Sequence, residues 1–203
     1  MTRLGIMRRF ARAEDGAVLV EFAILMPLLL LLVFGLIDFG RLGFSVVMAQ
    51  KATEMAVRDA VVRREICGLL PTTHARGTVT GTLSGTSCAS GPGVCAASAT
   101  LTCTAADSPA FWARVATLMP TNARPENLKV HYAFNPALGF LGGPYTPYVT
   151  VEITDLDFEF VTPLGALARL SGVSDPGTLG DAIAFPSMSA SLPAEALRKG
   201  DDT

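Results

Sequence analysis

Charge is scarce in this chain of 203 residues, and that scarcity excludes one large class of partner. Charged residues make up 17% of the sequence, and the formal net charge at pH 7 is -2. Nucleic-acid-binding proteins carry a basic patch or stripe, often together with aromatic side chains that stack on bases. Because the sequence has no such stripe, we expect no nucleic-acid partner.

The sequence also lacks the residue groupings on which most enzymes and metal sites depend. It has no Cys-x-x-Cys pair, and neither His74 nor His131 stands next to a cysteine. No phosphate-binding glycine loop and no nucleophile–base pair is recognisable. We therefore expect no catalytic residue, no metal ligand set such as a zinc site, and no cofactor.

The longest apolar stretch lies between Gly16 and Asp38. Only Glu21 is charged among its twenty-one residues. A bilayer core about 30 Å thick is crossed by roughly 20 apolar residues in a helix, so the stretch is long enough to span a membrane. A carboxylate near the bilayer centre costs at least about 2.5 kcal/mol. Glu21 therefore requires an explanation even though it stands near the start of the run.

The charges that flank this run predict its orientation. Four arginines precede it, namely Arg3, Arg8, Arg9 and Arg12. After the run, Arg41 and Lys51 are fewer and more widely spaced. The positive-inside rule then places residues 1–16 in the cytoplasm as a basic leader, and everything after the run outside. A secretory signal cleaved between Ala49 and Gln50 is the alternative, but the apolar run is long for one and helix-compatible residues separate it from that site.

The helical pattern continues well past the apolar run. No proline occurs between Phe39 and Arg64, and small or apolar residues recur at steps of three and four: Leu42, Val46, Ala49, Thr53, Ala56 and Ala60. The pairs Glu54–Arg58 and Asp59–Arg63 have the spacing of helical ion pairs. One helix from Ala17 to about Arg64 is predicted, on the order of 70 Å long. Pro27 is expected to bend it.

The four cysteines, Cys67, Cys88, Cys95 and Cys103, all follow the predicted span. An oxidising compartment outside the membrane favours disulfides there. Three connectivities are possible. Our hypothesis joins the near neighbours Cys88 and Cys95, with Cys67 and Cys103 closing a larger loop, and the other two pairings stay open. Residues 68–107 are rich in Gly, Thr, Ser and Ala and are predicted to be an irregular loop or a few weak strands, held by these bonds.

The rest of the chain predicts short helices and strands. Ser108-Pro109 begins a helix, and Leu164–Leu170 forms another. Alternation predicts strands at Leu128–Tyr132, Tyr148–Ile153 and Leu156–Val161, with a last strand at Ala184–Leu192 and a polar tail from Pro193. The apolar phase reverses between the second and third strands, which requires a bulge or tight turn at Thr154-Asp155.

These elements predict an α+β fold in which a long N-terminal helix packs on a small antiparallel sheet. The expected divisions are a leader at 1–16, a transmembrane and periplasmic helix at 17–65, and an extracytoplasmic domain at 66–203. Four carboxylates lie near the third strand: Glu152, Asp155, Asp157 and Glu159. We expect them to form a solvated face, and calcium binding is the alternative.

The start of the apolar run carries a recognisable pattern. Gly16 is followed by four apolar residues, then by Glu21-Phe22 and a long apolar run that contains Pro27. This frame resembles the processing site of type IV pilin-like proteins. Together with the continuation FGRLGFSVVMAQKATEMAVRDAVVR, it is most similar to the TadE-like minor pseudopilins of tight-adherence (Tad) pilus systems. The resemblance extends from about Phe10 to Arg64.

The resemblance implies a pilin-like fold, no enzymatic activity of its own, and cleavage between Gly16 and Ala17 by a prepilin peptidase. It implies that Glu21, beside Phe22, pairs with the N-terminal ammonium of a neighbouring subunit. Ala17 stands where classical type IV pilins commonly have phenylalanine, which puts N-methylation in doubt. The implied partners are other pilins or pseudopilins, the peptidase, the pilus assembly platform of the inner membrane, and the membrane itself. The alternative is an uncleaved single-pass envelope protein whose outer domain binds a ligand or a partner.

Overall fold

The structure is a computed structural model that describes residues 15–195, without the side chains of Asp15 and Ala17. The arginines of the predicted leader and the end of the predicted tail lie outside the described residues. The fold is α+β, as predicted: a long N-terminal helix packs on a small antiparallel sheet.

Helix α1 runs without interruption from Asp15 to Val62, 48 residues, with Pro27 inside it. At 1.5 Å per residue it is about 72 Å long. The predicted pair Asp59–Arg63 is present, with 2.7 Å between Oδ1 and Nε. Glu54, however, pairs with Lys51 at 2.8 Å, one turn earlier in the helix, instead of with Arg58.

The chain forms two compact units. The first contains α1 up to Gly43 together with Asp157–Ile183, and the second contains Phe44–Leu156 together with the residues from Ala184 onward. The predicted divisions at residues 16 and 65 follow the expected membrane topology and not this packing, so they stay predictions.

The second unit contains a four-stranded antiparallel sheet. Its strands are β1 (Leu101–Thr104), β2 (Leu128–Ala133), β3 (Tyr148–Ile153) and β6 (Met188–Pro193), in the order β1-β2-β3-β6. Helix α2 (Pro109–Val115) begins at Ser108, whose Oγ accepts a hydrogen bond from the Phe111 amide at 3.4 Å. The predicted strands at 128–132 and 148–153 and the predicted helix start at Ser108 are thus confirmed.

The core of the second unit lies between the sheet and the last turns of α1. The helix contributes small side chains that are fully or almost fully buried: Ala49, Ala52, Ala56, Val57, Ala60 and Val61. The sheet contributes alternate residues, among them Val130 and Val151, which are directly opposite each other. Alanines allow the helix backbone to approach the sheet closely, and all of this face except Ala49 follows Gln50 in the chain.

Two disulfides constrain the irregular segment that precedes β1, and one of them is formed with a cysteine of β1. Cys67 is bonded to Cys103 and Cys88 to Cys95, as hypothesised from the sequence. The first bond closes a loop with a sequence separation of 36, which in the chain-entropy view stabilises the folded state by about 4 kcal/mol. The second bond lies in a small core with Val94 and Leu141.

The segment after β3 differs from the prediction. The chain turns at Asp155, whose φ is 55°, so the expected tight turn is present. Only β4 (Asp157–Phe158) is a strand in the predicted range 156–161, and it forms a two-stranded sheet with β5 (Ile183–Ala184). The reason is that β6 occupies the edge of β3, so the segment after the turn cannot pair with β3.

The predicted last strand is also divided. Ile183–Ala184 and Met188–Pro193 are separate strands, and Pro186 stands in the gap between them. Proline lacks the amide hydrogen that a continuous ladder needs, which accounts for the break. Helix α3 (Leu164–Leu170) has the predicted bounds.

Tyr132 of β2 gives the second unit a measurable alkaline transition. Its side chain is fully buried, its hydroxyl accepts a hydrogen bond from the Ile66 amide at 3.3 Å, and burial raises its pKa to about 12. An unfolded tyrosine titrates near 10. Between pH 10 and 12 the unfolded chain loses this proton and the folded chain keeps it, so stability must fall as the pH rises, by about 2–3 kcal/mol in total.

We expect Tyr132→Phe to remove this pH-dependent loss, although the variant is less stable at neutral pH because the hydrogen bond to Ile66 is gone. The measurement is denaturant unfolding of the full chain in detergent at pH 8 and at several values up to 11. Tyr148→Phe, at the start of β3, is the matched control and should keep the parent's slope. Equal slopes for the parent and Tyr132→Phe would contradict the assignment.

Candidate functional site

The candidate site is the part of α1 that belongs to the first unit, together with the segment that contacts it. This part of the helix exposes most of its large apolar side chains, up to 75% at Leu36, and leaves Leu31 and Phe34 half-buried. In water such a surface would be strongly unfavourable. By length and composition the helix is able to cross a membrane, which is compatible with a single-pass anchor.

The predicted processing residues lie in the first turn of this helix. Gly16 follows the first residue of α1 directly, is exposed, and would meet no atom within 4 Å if it carried a Cβ. Space around Gly16 is therefore not what requires glycine there. The role of Gly16 and Ala17 in cleavage stays a prediction.

Glu21 and Phe22 lie on the exposed surface of the apolar run. Glu21 is exposed, Phe22 is 58% exposed, and no hydrogen bond or ion pair reaches Glu21 from any residue within 15–195. Glu21 is one helical turn after Ala17, so the two positions share a face. Their proposed role in assembly is untested by this geometry. Pro27 lies within the unbroken helix, and the predicted bend there also stays a prediction.

Asp38, which directly follows the apolar run, is the residue that sequence analysis missed. Its side chain is fully buried. Oδ2 accepts hydrogen bonds from both the amide, at 3.0 Å, and the hydroxyl of Thr162, and Oδ1 accepts one from Arg41 at 3.1 Å. A buried carboxylate with this many donors is well compensated. The available signal was an aspartate at the end of an apolar run with an arginine three residues later.

Aromatic side chains make further contacts between α1, near Asp38, and the segment that contains Thr162. The ring of Phe39 packs edge-on against Phe160 with 5.7 Å between centroids, and Phe160 packs on Phe158 at 5.4 Å. The Arg41 guanidinium lies 5.9 Å from the Phe158 ring centroid. As the segment proceeds from 158 to 162, its partners on α1 move from 41 to 38, that is, toward the apolar run.

The four carboxylates proposed as a solvated face do not act as one group. Glu152 contacts His131, with 3.0 Å between Oε1 and Nε2, and Asp155 contacts Lys129 at 3.3 Å. Asp157 has an interaction of its own, and Glu159 is exposed. Because Glu152 and Asp155 have basic partners, these contacts favour the solvated-face interpretation over calcium binding.

His74 lies next to the Cys88–Cys95 disulfide although neither of these cysteines is near it in sequence. One of its ring nitrogens and the sulfurs of Cys88 and Cys95 lie within 4.8 Å of one another. Gly139 packs against the ring so closely that a Cβ there would lie 2.3 Å from Nε2. Burial lowers the pKa of His74 below its ordinary value, which favours the neutral imidazole. Because both sulfurs are bonded to each other, they offer no thiolate to a metal.

These features define a class: an α+β protein with an apolar N-terminal helix compatible with a single membrane span. Residues 16–58 match the model of a family described as TadE-like protein. The match confirms the resemblance found in the sequence, and it covers the apolar run and most of the remaining helix. Comparisons with curated proteins and with solved structures found no match.

Asp38 can be tested as the attachment point of the segment that contains Thr162. Hydrogen bonds to a charged group contribute about 1.5–3 kcal/mol each, so Asp38→Ala should speed hydrogen exchange at the Thr162 amide about tenfold or more. The measurement is hydrogen–deuterium exchange of the full chain in detergent, followed by mass spectrometry of the peptide that contains Thr162.

Glu54→Ala is the matched control, because it removes a carboxylate of the same helix whose ion pair with Lys51 is exposed. It should leave exchange near Thr162 unchanged. If Asp38→Ala and Glu54→Ala exchange alike there, Asp38 does not hold this segment.

Proposed function

We propose that this chain is a minor pseudopilin or an initiating subunit of a Tad-type (type IVc) pilus, matured by a prepilin peptidase. It is held by its apolar helix in the inner (cytoplasmic) membrane, with residues 1–16 in the cytoplasm and the domain from residue 66 in the periplasm. It assembles with other pilins or pseudopilins at the assembly platform of that membrane, and it catalyses no reaction itself.

The observation that carries the proposal is the match of residues 16–58 to the TadE-like family, which begins at the predicted cleavage glycine. Two further observations support it. The apolar run exposes its side chains on most faces, as a helix does that is covered by lipid or by neighbouring subunits. The two disulfides and the lack of free cysteines in residues 15–195 agree with a domain that folds in an oxidising compartment.

Cleavage between Gly16 and Ala17 has a clear physical purpose in this scheme. Glycine leaves the scissile backbone unhindered, and the arginines before it hold the junction at the cytoplasmic membrane surface. Cleavage removes those charges and creates an ammonium group on Ala17. That ammonium is the only new charge near the start of an otherwise apolar surface, and it is a complementary partner for Glu21.

We expect the chain, coexpressed with its prepilin peptidase, to lose residues 1–16 and begin at Ala17. Gly16→Val should block this step, because a β-branched side chain crowds the scissile bond and stiffens its backbone. N-terminal mass spectrometry of the membrane-isolated protein provides the measurement. Gly35→Val, which alters a glycine in the same run, is the control and should still be processed. Recovery of the parent with residues 1–16 intact would remove the main support for maturation.

Glu21 is the residue through which assembly is proposed to occur. Within residues 15–195 of a single chain its carboxylate has no partner, and in the proposed scheme another subunit compensates its charge. A neighbouring Ala17 ammonium would satisfy it and would set the register between two helices, because only one axial offset brings the two charges together.

Glu21→Gln separates assembly from anchoring. The amide keeps the shape of the side chain and makes membrane insertion easier, so insertion and cleavage should be unchanged. Assembly should fail, because the neighbour's ammonium would be buried without a partner, at a cost of roughly 3–5 kcal/mol in a dry site. The readout is crosslinking to pilin partners and surface piliation at matched membrane levels.

The control for this experiment is Glu54→Gln, which neutralises another carboxylate of α1 outside the apolar run. It should assemble like the parent. Normal crosslinking and piliation by Glu21→Gln would show that this carboxylate merely reaches the membrane surface.

A further inference from the structure

The segment Asp157–Ile183, which we name the lobe, is attached to α1 at one end of the apolar run. Thr162 donates two hydrogen bonds to Asp38, and Phe160 packs on Phe39. Asp38 is the first residue after the apolar run. If that run crosses the bilayer, as the proposed function requires, these contacts hold Thr162 at the depth where the outer hydrocarbon boundary meets the headgroups.

The lobe packs part of its apolar surface inward and leaves another part uncovered. Leu164 and Ala168 of α3 are buried. Val161 and Leu170 are each 71% exposed, and three more apolar residues of the lobe are also exposed: Val173, Leu179 and Ile183. Singly exposed apolar side chains are common on water-facing surfaces, so what points to an occupant here is the attachment of the lobe at the end of the apolar run.

We propose that the uncovered apolar side chains of the lobe contact the phospholipid bilayer, at the interface between headgroups and acyl chains of the outer leaflet. Continuity with the apolar run supports lipid as the occupant. The direction of the chain supports it as well, because from residue 158 to 162 the lobe descends along α1 toward that run.

The charge of the lobe further specifies the contact. It contains four carboxylates and one basic residue, Arg169: Asp157, Glu159, Asp175 and Asp181. Such a surface is not attracted to anionic lipids, since attraction of that kind requires clustered lysines and arginines. The contact is therefore apolar in origin, and it should form on zwitterionic phosphatidylcholine.

The chain's single tryptophan, Trp112, makes fluorescence quenching a direct test. Leu170→Trp adds a second tryptophan on the lobe, and the parent supplies the baseline emission. Leu83→Trp is the matched control, because Leu83 is 79% exposed and belongs to the other unit. Each protein is reconstituted into phosphatidylcholine vesicles at low protein density, with and without bromine atoms on the acyl chains near the glycerol backbone.

We expect the bromine atoms to remove about half or more of the emission that Leu170→Trp adds, because an interfacial segment buries its apolar face about 5–10 Å into the boundary of headgroups and acyl chains. Aqueous iodide should quench this added emission only weakly. For Leu83→Trp, iodide should quench the added emission strongly and the bromine atoms should quench it only weakly. Adding Thr162→Val to Leu170→Trp should reduce the bromine effect, because it removes the side-chain hydrogen bond to Asp38.

Two results would overturn the inference. Strong iodide quenching without bromine quenching would place the lobe in water, and protection from both quenchers would mean that a protein surface covers it. The inference rests on the proposed membrane anchor. Carbonate extraction distinguishes a failure of the anchor from a failure of the lobe contact. Release of the parent from the vesicles by alkaline carbonate would overturn the anchor and the lobe contact together, whereas retention without bromine quenching overturns the lobe contact alone.

Discussion

Close packing of small side chains along the last turns of α1 is the constraint on which the second unit depends. Ala49, Ala52, Ala56 and Ala60 are almost completely inaccessible to solvent, so the helix backbone itself lies against the sheet. Larger side chains at these positions would force the helix away from Val130 and Val151. The same 48-residue helix begins with large apolar side chains that have no protein cover on most faces. One helix thus serves two environments, and side-chain size changes along it accordingly.

The change from one environment to the other is marked by Asp38. A buried carboxylate directly after an apolar run would be costly without donors. Here the Thr162 amide and hydroxyl and the Arg41 guanidinium supply them. Because a charge compensated in this way prefers one geometry, it fixes the position of the lobe on the helix more firmly than apolar contacts alone could. Glu21 differs, since its compensation must come from outside the described chain.

This contrast between the two carboxylates connects structure with the proposed role. Asp38 is satisfied within its own subunit, so it contributes to the stability of the first unit. Glu21 has no hydrogen bond or ion pair within residues 15–195, as the proposed role of joining subunits requires. The family match over residues 16–58 contains both residues, and it also contains the alanine face up to Ala56.

Local patterns by themselves determined the helix that begins at Ser108, the helix at Leu164–Leu170, the strands at 128–133 and 148–153, and the apolar run, because each depends on neighbours a few residues apart. Charge and motif spacing likewise indicated a helix able to span a membrane and the resemblance to the TadE-like family. Tertiary structure decided which strand occupies the edge of β3, and with it the shortening of the predicted strand at 156–161 to two residues. It also selected the disulfide pairing among three possibilities, brought His74 to the Cys88–Cys95 bond, and joined Asp38 to Thr162. These outcomes depend on partners far apart in sequence, whose choice is governed by the packing of the whole chain and leaves no periodic trace in either segment.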